Sequence, residues 1–135
     1  MGSMQVPVGL IHGALEPKQW TDSSLWKRVL ENNRVIVSTP QVLLDALSHG
    51  YVHMGEDIGL LVFDEAHHAD RNHPMSCIMR DFYFSLPPRT PAASGYGGPT
   101  RKERPMVLGL TASPMFGGNA TTAFRCGPRL QILIL

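Results

Sequence analysis

Short apolar runs alternate with segments of helical periodicity along this chain, and polar or hydroxyl residues close nearly every run. Val6 to Ile11 is an apolar stretch of strand length, ended by His12-Gly13. Ser23 to Glu31 carries Leu25, Trp26, Val29 and Leu30 at helical spacing, with a serine at its start to cap the first amides. Asn32-Asn33 stops that helix, and Arg34 to Ser38 reads as a β-branched, buried strand. Thr39-Pro40 then opens another helix, because threonine caps well and proline is favoured as the first helical residue. Its body, Gln41 to Ser48, lines up Val42, Leu43, Ala46 and Leu47, and His49-Gly50 closes it. Gly59 to Phe63 is a third strand. Pro74 to Leu86 is a helix with Ile78, Met79, Phe82 and Leu86 turned inward, and Met106 to Leu110 is a fourth strand.

Strands that alternate with helices and are apolar on both faces predict an α/β fold, a mostly parallel sheet flanked by helices. No internal repeat interrupts this order. Residues 87–105 are rich in proline and glycine and include Arg101-Lys102-Glu103-Arg104, which reads as a solvated surface loop. At 135 residues the chain has material for one modest core, here assigned to residues 1–125. Residues 126–135 read as a separate tail, a truncation or gene-model artefact. Leu130 to Leu135 is aliphatic at five of six positions, and such a segment favours aggregation unless the fold gives it a groove.

Composition narrows the function classes. A content of 43% hydrophobic and 17% charged residues suits a globular protein. A formal net charge of +1 carries no electrostatic signature of nucleic-acid binding, so any such assignment rests on motifs. Two cysteines, Cys77 and Cys126, are too few for a disulfide framework and form no zinc-type pair, which predicts an intracellular chain with no disulfide-linked partner. The N-terminus lacks the basic and apolar regions of a signal peptide, and no run approaches the ~20 apolar residues that span a bilayer.

The chemistry concentrates where strands end. Leu60-Leu61-Val62-Phe63 runs directly into Asp64-Glu65, and two carboxylates have no place inside a buried strand. They belong at the carboxyl edge of the sheet, where open α/β folds bind ligands. An Asp there can hold a hydrated Mg²⁺ bridging nucleotide phosphates, and the next Glu can orient a water. Ser38-Thr39-Pro40 ends the preceding strand, and Thr111-Ala112-Ser113 follows the next one. Three strands thus deliver hydroxyl or carboxylate groups to one edge. If they are parallel neighbours, Thr39, Asp64 and Thr111 crowd that edge, and Thr111 or Ser113 reaches the acidic segment.

Asp64-Glu65-Ala66-His67 resembles the DEAH form of the Walker B motif of superfamily 2 helicases. From about Gly9 to Asn119 the chain resembles the first RecA-like helicase domain of fungal Dicer-like proteins, and within them the second class. The residues that carry this include Gln19-Trp20, Val37 through Asp45, Leu60 through His68, His73-Pro74, Ile78 through Tyr83 and Leu108 through Met115. The resemblance implies a P-loop NTPase-type fold, ATP and Mg²⁺ as cofactors, and double-stranded RNA and a second RecA-like lobe in cis as partners. It implies that Asp64 holds the metal, Glu65 positions the hydrolytic water and His67 couples the nucleotide site to the second lobe. Thr111, Ala112 and Ser113 match the motif linking nucleotide state to RNA grip. Thr39 and Pro40 match a motif that touches the RNA backbone. The parent would work in RNA silencing and antiviral defence, in the cytoplasm or nucleus and away from membranes.

The sequence departs from that pattern in one chemical respect: it contains no Gly-x-x-x-x-Gly-Lys-Ser/Thr. That loop supplies the amide cradle and the lysine for the β- and γ-phosphates. The expectation for the isolated chain is therefore an inactive fragment of the helicase domain, or a non-catalytic fragment that binds RNA or a partner. His67, His68 and His73 with Asp64, Glu65 and Asp70 suggest a metal-binding module as a further alternative, although neither His-Glu-x-x-His nor a cysteine pair is present.

Overall fold

The computed structural model describes residues 5–12, 23–69, 72–89, 103–111 and 131–134. Five short strands form one sheet: β1 (Val8–Ile11), β2 (Val35–Ser38), β3 (Leu60–Phe63), β4 (Met106–Gly109) and β5 (Gln131–Ile134), in the spatial order β1-β2-β5-β3-β4. β1 pairs parallel with β2, and β3 with β4. β5 runs antiparallel to both β2 and β3, which leaves those two parallel to each other. The fold is the α/β class with a mostly parallel sheet that the alternating pattern predicts.

Two features of the sheet depart from the sequence reading. β2 and β3 are not direct neighbours, because β5 lies between them. The tail beginning at residue 126 includes β5, whose backbone pairs on both sides. An aliphatic segment suits that position, since a strand flanked on both edges leaves no backbone group without a partner.

The strand register assigns each residue to a face. Ile11, Ser38, Phe63 and Gly109 stand in one row, and Gly9, Ile36, Leu61 and Val107 in another row on the same side. Ile11, Ile36, Leu61 and Phe63 from this side join Trp26, Leu43, Leu47, Met75 and Ile78 in the hydrophobic core. The helices therefore cover this face. α1 (Ser23–Asn32) inserts Trp26, and Asn33 ends it by donating its side-chain amide to the Val29 carbonyl at 2.9 Å. α2 (Pro40–Ser48) buries Leu43, Ala46 and Leu47 and stops at Gly50, whose φ of 72° glycine adopts without steric cost. α3 (Met54–Asp57) is a single turn that the periodicity does not reveal.

The helix expected over Pro74–Leu86 starts as α4 (Pro74–Cys77) and continues as a π-helix, Ile78–Tyr83. Arg104 holds the end of that π-helix. Its guanidinium donates to the carbonyls of Tyr83 and Phe84 at 3.2 and 3.1 Å and lies over both rings. The Arg104 amide also donates to the Pro87 carbonyl at 3.1 Å, so the base of the 87–105 segment is pinned. Arg104 is thus a packing residue within a run that reads as solvated. Residues 90–102 lie outside the described residues. Among the described residues, no helix is long and apolar enough to cross a membrane, and Cys77 is a free thiol.

Candidate functional site

The carboxyl ends of β2, β3 and β4 lie along one edge, because Ser38, Phe63 and Gly109 share a register row and the three strands run the same way. Thr39 and Asp64 each stand one residue beyond that row, and Thr111 two beyond. Thr39 and Asp64 belong to strands two spacings apart, whereas Asp64 and Thr111 belong to adjacent strands.

Asp64 leaves β3 exposed to solvent. Its Oδ1 accepts the Glu65 amide at 3.0 Å, which turns the chain sharply. Glu65 occupies the left-handed region with φ of 55°, and it is the single non-glycine residue with positive φ among the described residues. Such a conformation is unfavourable for an L residue and persists where surrounding bonds hold it. Those bonds come from β4. The Leu110 amide donates to the Phe63 carbonyl at 2.8 Å, and the Ala66 amide to the Leu110 carbonyl at 2.9 Å. A Cβ built on Gly109 would lie 3.2 Å from the Ala66 methyl, so glycine allows the two segments to approach. The turn at Ala66–His68 is a short 3-10 helix.

His67 joins these segments through side chains. Its Nδ1 lies 2.6 Å from the Thr111 hydroxyl and 3.2 Å from Glu65 Oε2. Glu65, His67 and Thr111 form one cluster across the ends of two adjacent strands. Ala112 and Ser113 lie outside the described residues.

Around Thr39 the features differ. Thr39 precedes α2 without making a side-chain capping bond, and Pro40 is the first helical residue. An uncapped helix start presents backbone N–H groups and a partial positive charge, which suits an anion. Just before it, Ser38 is 1% exposed and its hydroxyl is the one buried side-chain polar atom without a hydrogen-bond partner among the described residues.

Among the described residues, no three His, Cys, Asp or Glu side chains are placed to hold an ion together, and Asp70 lies outside the described residues. His73 instead accepts the Met75 amide at 3.2 Å and caps α4. A cavity of about 420 Å³ lies behind the acidic turn, with Phe63, Met75, Met79 and Phe84 in its walls. Ala66, Ala69, Ser76 and Arg80 complete the lining, which is mostly apolar. Its cation, Arg80, is bonded to Asp81 at 2.6 and 2.8 Å, a contact that raises the arginine pKa and lowers that of the aspartate.

The sequence reading did not identify the backbone half of this site. Gly109 inside an apolar strand is the only signal that could have pointed to the close approach, and the bonds of Leu110 leave no mark in residue type.

No protein-family model matches the chain. Dicer-like protein 2 of Aspergillus fumigatus is 50% identical over 101 residues, which is 74% of this chain and 6% of that protein. Dicer-like protein 2 of Emericella nidulans is 48% identical over 101 residues, 75% of this chain and 6% of the relative. The protein of the same name from Phaeosphaeria nodorum is 44% identical over 115 residues, 85% of this chain and 7% of the relative. Among solved structures, the helicase domain of Hef from Pyrococcus furiosus matches with a TM-score of 0.53 and 32% identity. That match covers 82% of this chain and 18% of the Hef chain. The chain spans about 6–7% of the length of these Dicer-like relatives. Its sequence and its fold therefore identify it as a homologue of fungal Dicer-like protein 2, corresponding to a segment of the helicase domain with a RecA-like α/β fold.

Proposed function

We propose that this segment serves an ATP-dependent RNA helicase domain of a Dicer-like endoribonuclease that acts on double-stranded RNA in RNA silencing and antiviral defence, inside the cell. The observation that carries the reading is the bond between His67 and Thr111, which ties the acidic turn after β3 to the segment leaving β4. A nucleotide motor needs such a link, because a change at the phosphate site must reach the nucleic-acid grip as movement of a neighbouring segment.

The donor set suits Mg²⁺. Asp64 is an exposed carboxylate whose Oδ1 already holds the Glu65 amide, so its position is set before any ion arrives. A hard cation that retains waters is held by one or two such carboxylates together with substrate phosphates. When bound, Mg²⁺ would neutralise charge on the phosphates of ATP. Glu65 would orient the attacking water, and its left-handed backbone would aim the side chain. His67, between Glu65 and Thr111, would relay the state of that site toward the second RecA-like lobe. Ala112 and Ser113 would continue the relay. Thr39 and Pro40 at the start of α2 would receive an RNA phosphate, a contact that positions the strand without reading its sequence.

The 135 residues alone lack a phosphate-binding lysine loop, so for the isolated polypeptide we propose no turnover. The test is to express the segment within a longer protein that supplies a P-loop and a second lobe, and to measure phosphate release with and without double-stranded RNA. RNA-stimulated hydrolysis that Glu65→Gln abolishes is the expected result. Hydrolysis that survives Glu65→Gln unchanged would remove the helicase reading.

A further inference from the structure

We propose that the outer edge of β4 is a pairing surface for a second copy of this chain, and that two copies join their sheets across a two-fold axis at Leu108. β4 stands last in the strand order and pairs with β3 alone among the described residues. Its side chains are open to solvent on both faces: Met106, Val107, Leu108 and Leu110 are 51%, 36%, 48% and 45% exposed. From Pro105 to Thr111 the chain carries no charge. Folded proteins usually blunt such an edge with lysine, proline or a bulge, because an open edge can template another strand. Here Pro105 restricts only the start of the strand.

The backbone determines which groups this edge presents. The Met106 amide donates to the Gly59 carbonyl at 3.1 Å, and the Leu110 amide to the Phe63 carbonyl at 2.8 Å, so both residues direct their peptide groups toward β3. Alternation along the strand gives Leu108 the same direction and turns the N–H and C=O groups of Val107 and Gly109 outward. In an antiparallel pair, residues that face each other with such groups exchange two hydrogen bonds. A two-fold axis at Leu108 sets each Val107 against Gly109 of the other copy, which makes four bonds in all.

The side chains suit the same register. Val107 and Gly109 share a face with Leu61 and Phe63, so each branched side chain meets a glycine across the axis. On the opposite face Leu108 meets Leu108 of the other copy, and Met106 meets Leu110. An axis at Val107 would instead crowd two valines and oppose Gly109 to Pro105, which has no N–H to donate. An axis at Gly109 would set glycine against glycine, with no side-chain contact at the centre. No like charges oppose each other in the Leu108 register, so nothing excludes a copy of the same sequence. The exposed parts of residues 106–110 amount to on the order of 400 Å² per copy, at the small end of specific interfaces, so the dimer is weak and reversible.

Sedimentation equilibrium of the 135-residue chain over a range of concentrations tests the pairing without any activity measurement. A monomer–dimer equilibrium is expected. Leu108→Lys brings two ammonium groups together at the axis, and Val107→Pro removes an outward N–H while leaving the bonds to β3 intact. Each should weaken the dimer at least tenfold. Leu10→Lys, in the same row at the far side of the sheet and 58% exposed, should leave it unchanged. In a Cys77→Ser, Cys126→Ser background, Leu108→Cys should form a covalent dimer under mild oxidation. Residues that face each other without hydrogen bonds have Cα atoms about 4.5 Å apart, within the range a disulfide spans. Leu10→Cys in that background should form none. A chain that stays monomeric at every concentration would overturn the proposal. So would a dimer that survives both Leu108→Lys and Val107→Pro, or one that Leu10→Lys disrupts equally, since the copies would then meet through the sheet face or β1. Assemblies larger than a dimer would overturn it as well, because two-fold pairing leaves no β4 edge open.

Discussion

His67 Nδ1 lies 2.6 Å from the hydroxyl of Thr111, a residue 44 positions later in the chain. The contact joins the turn after β3 to the exit of β4, and the same histidine nitrogen also lies 3.2 Å from Glu65. An acid, an imidazole and a hydroxyl thus share one short path along the sheet edge. Moving any one of the three changes the partner available to the others.

Thr111→Val keeps the shape of the side chain and removes the hydroxyl. In a longer protein with a complete nucleotide site, we expect RNA-stimulated ATP hydrolysis to fall roughly tenfold, the equivalent of one hydrogen bond. ATP affinity should be unchanged, since Thr111 is bonded to the turn and not placed to hold phosphate. Steady-state kinetics with and without RNA provide the check. An equal loss of ATP affinity would show that Thr111 serves binding instead.

Ser38 offers a stability test. Its hydroxyl is buried and makes no hydrogen bond among the described residues, so it pays for desolvation without return. Ser38→Ala should raise the unfolding free energy by about 1 kcal/mol, seen as a higher urea midpoint at unchanged slope. A lower midpoint would mean that the hydroxyl has a partner in solution.

The pair Arg80–Asp81 gives a pH prediction of definite sign. The hydrogen bond from Arg80 holds the Asp81 carboxyl below its usual range. A depressed folded-state pKa contributes stability above the unfolded pKa, near 4, and that contribution fades as pH falls through the folded value. Both side chains are exposed, so the effect on unfolding should be small and weakened by salt. The sharper readout is a carboxyl titration by NMR: Arg80→Ala should move the Asp81 midpoint upward. An unmoved midpoint would show that the bond does not persist in solution.

Much of this arrangement can be read from residue order. β1 to β4 lie within the expected spans, since β-branched and aliphatic runs between polar stops have little alternative to becoming strands. α1 and α2 follow from apolar spacing, with Asn33 and Gly50 as their stops. The parts that residue order leaves open depend on contacts made after folding. The π-helix at Ile78–Tyr83 repeats its hydrogen bonds at a spacing close to that of an α-helix, and its apolar pattern suits either form. Arg104 belongs to a charged run that looks solvated, and only the folded chain brings it over Tyr83 and Phe84. The left-handed backbone at Glu65 carries no signature in a residue that usually avoids it. The place of β5 depends on a pairing more than sixty residues distant from β3, and an aliphatic pattern alone carries no information about its partner.

The isolated 135-residue polypeptide should not hydrolyse ATP, with or without double-stranded RNA. Phosphoryl transfer in such sites is mostly positioning and stabilisation of charge. Asp64 and Glu65 can offer a metal ligand and hold a water, and the bonds of Glu65 and His67 keep that corner ordered. Nothing in these 135 residues matches the lysine-bearing glycine loop that holds the β- and γ-phosphates in line. The cavity behind the turn is a poor substitute, because its lining is mostly apolar, with Phe63, Met75, Met79 and Phe84 among its walls, and its arginine is bonded to Asp81. Removing a single preorganised group that stabilises transition-state charge commonly costs about a hundredfold to a thousandfold in rate, and here the lysine and the amide cradle are absent together. Phosphate release from the purified chain should therefore match buffer alone. Turnover that rises with RNA and disappears in Glu65→Gln would mean that these residues hold the triphosphate by a route other than a P-loop.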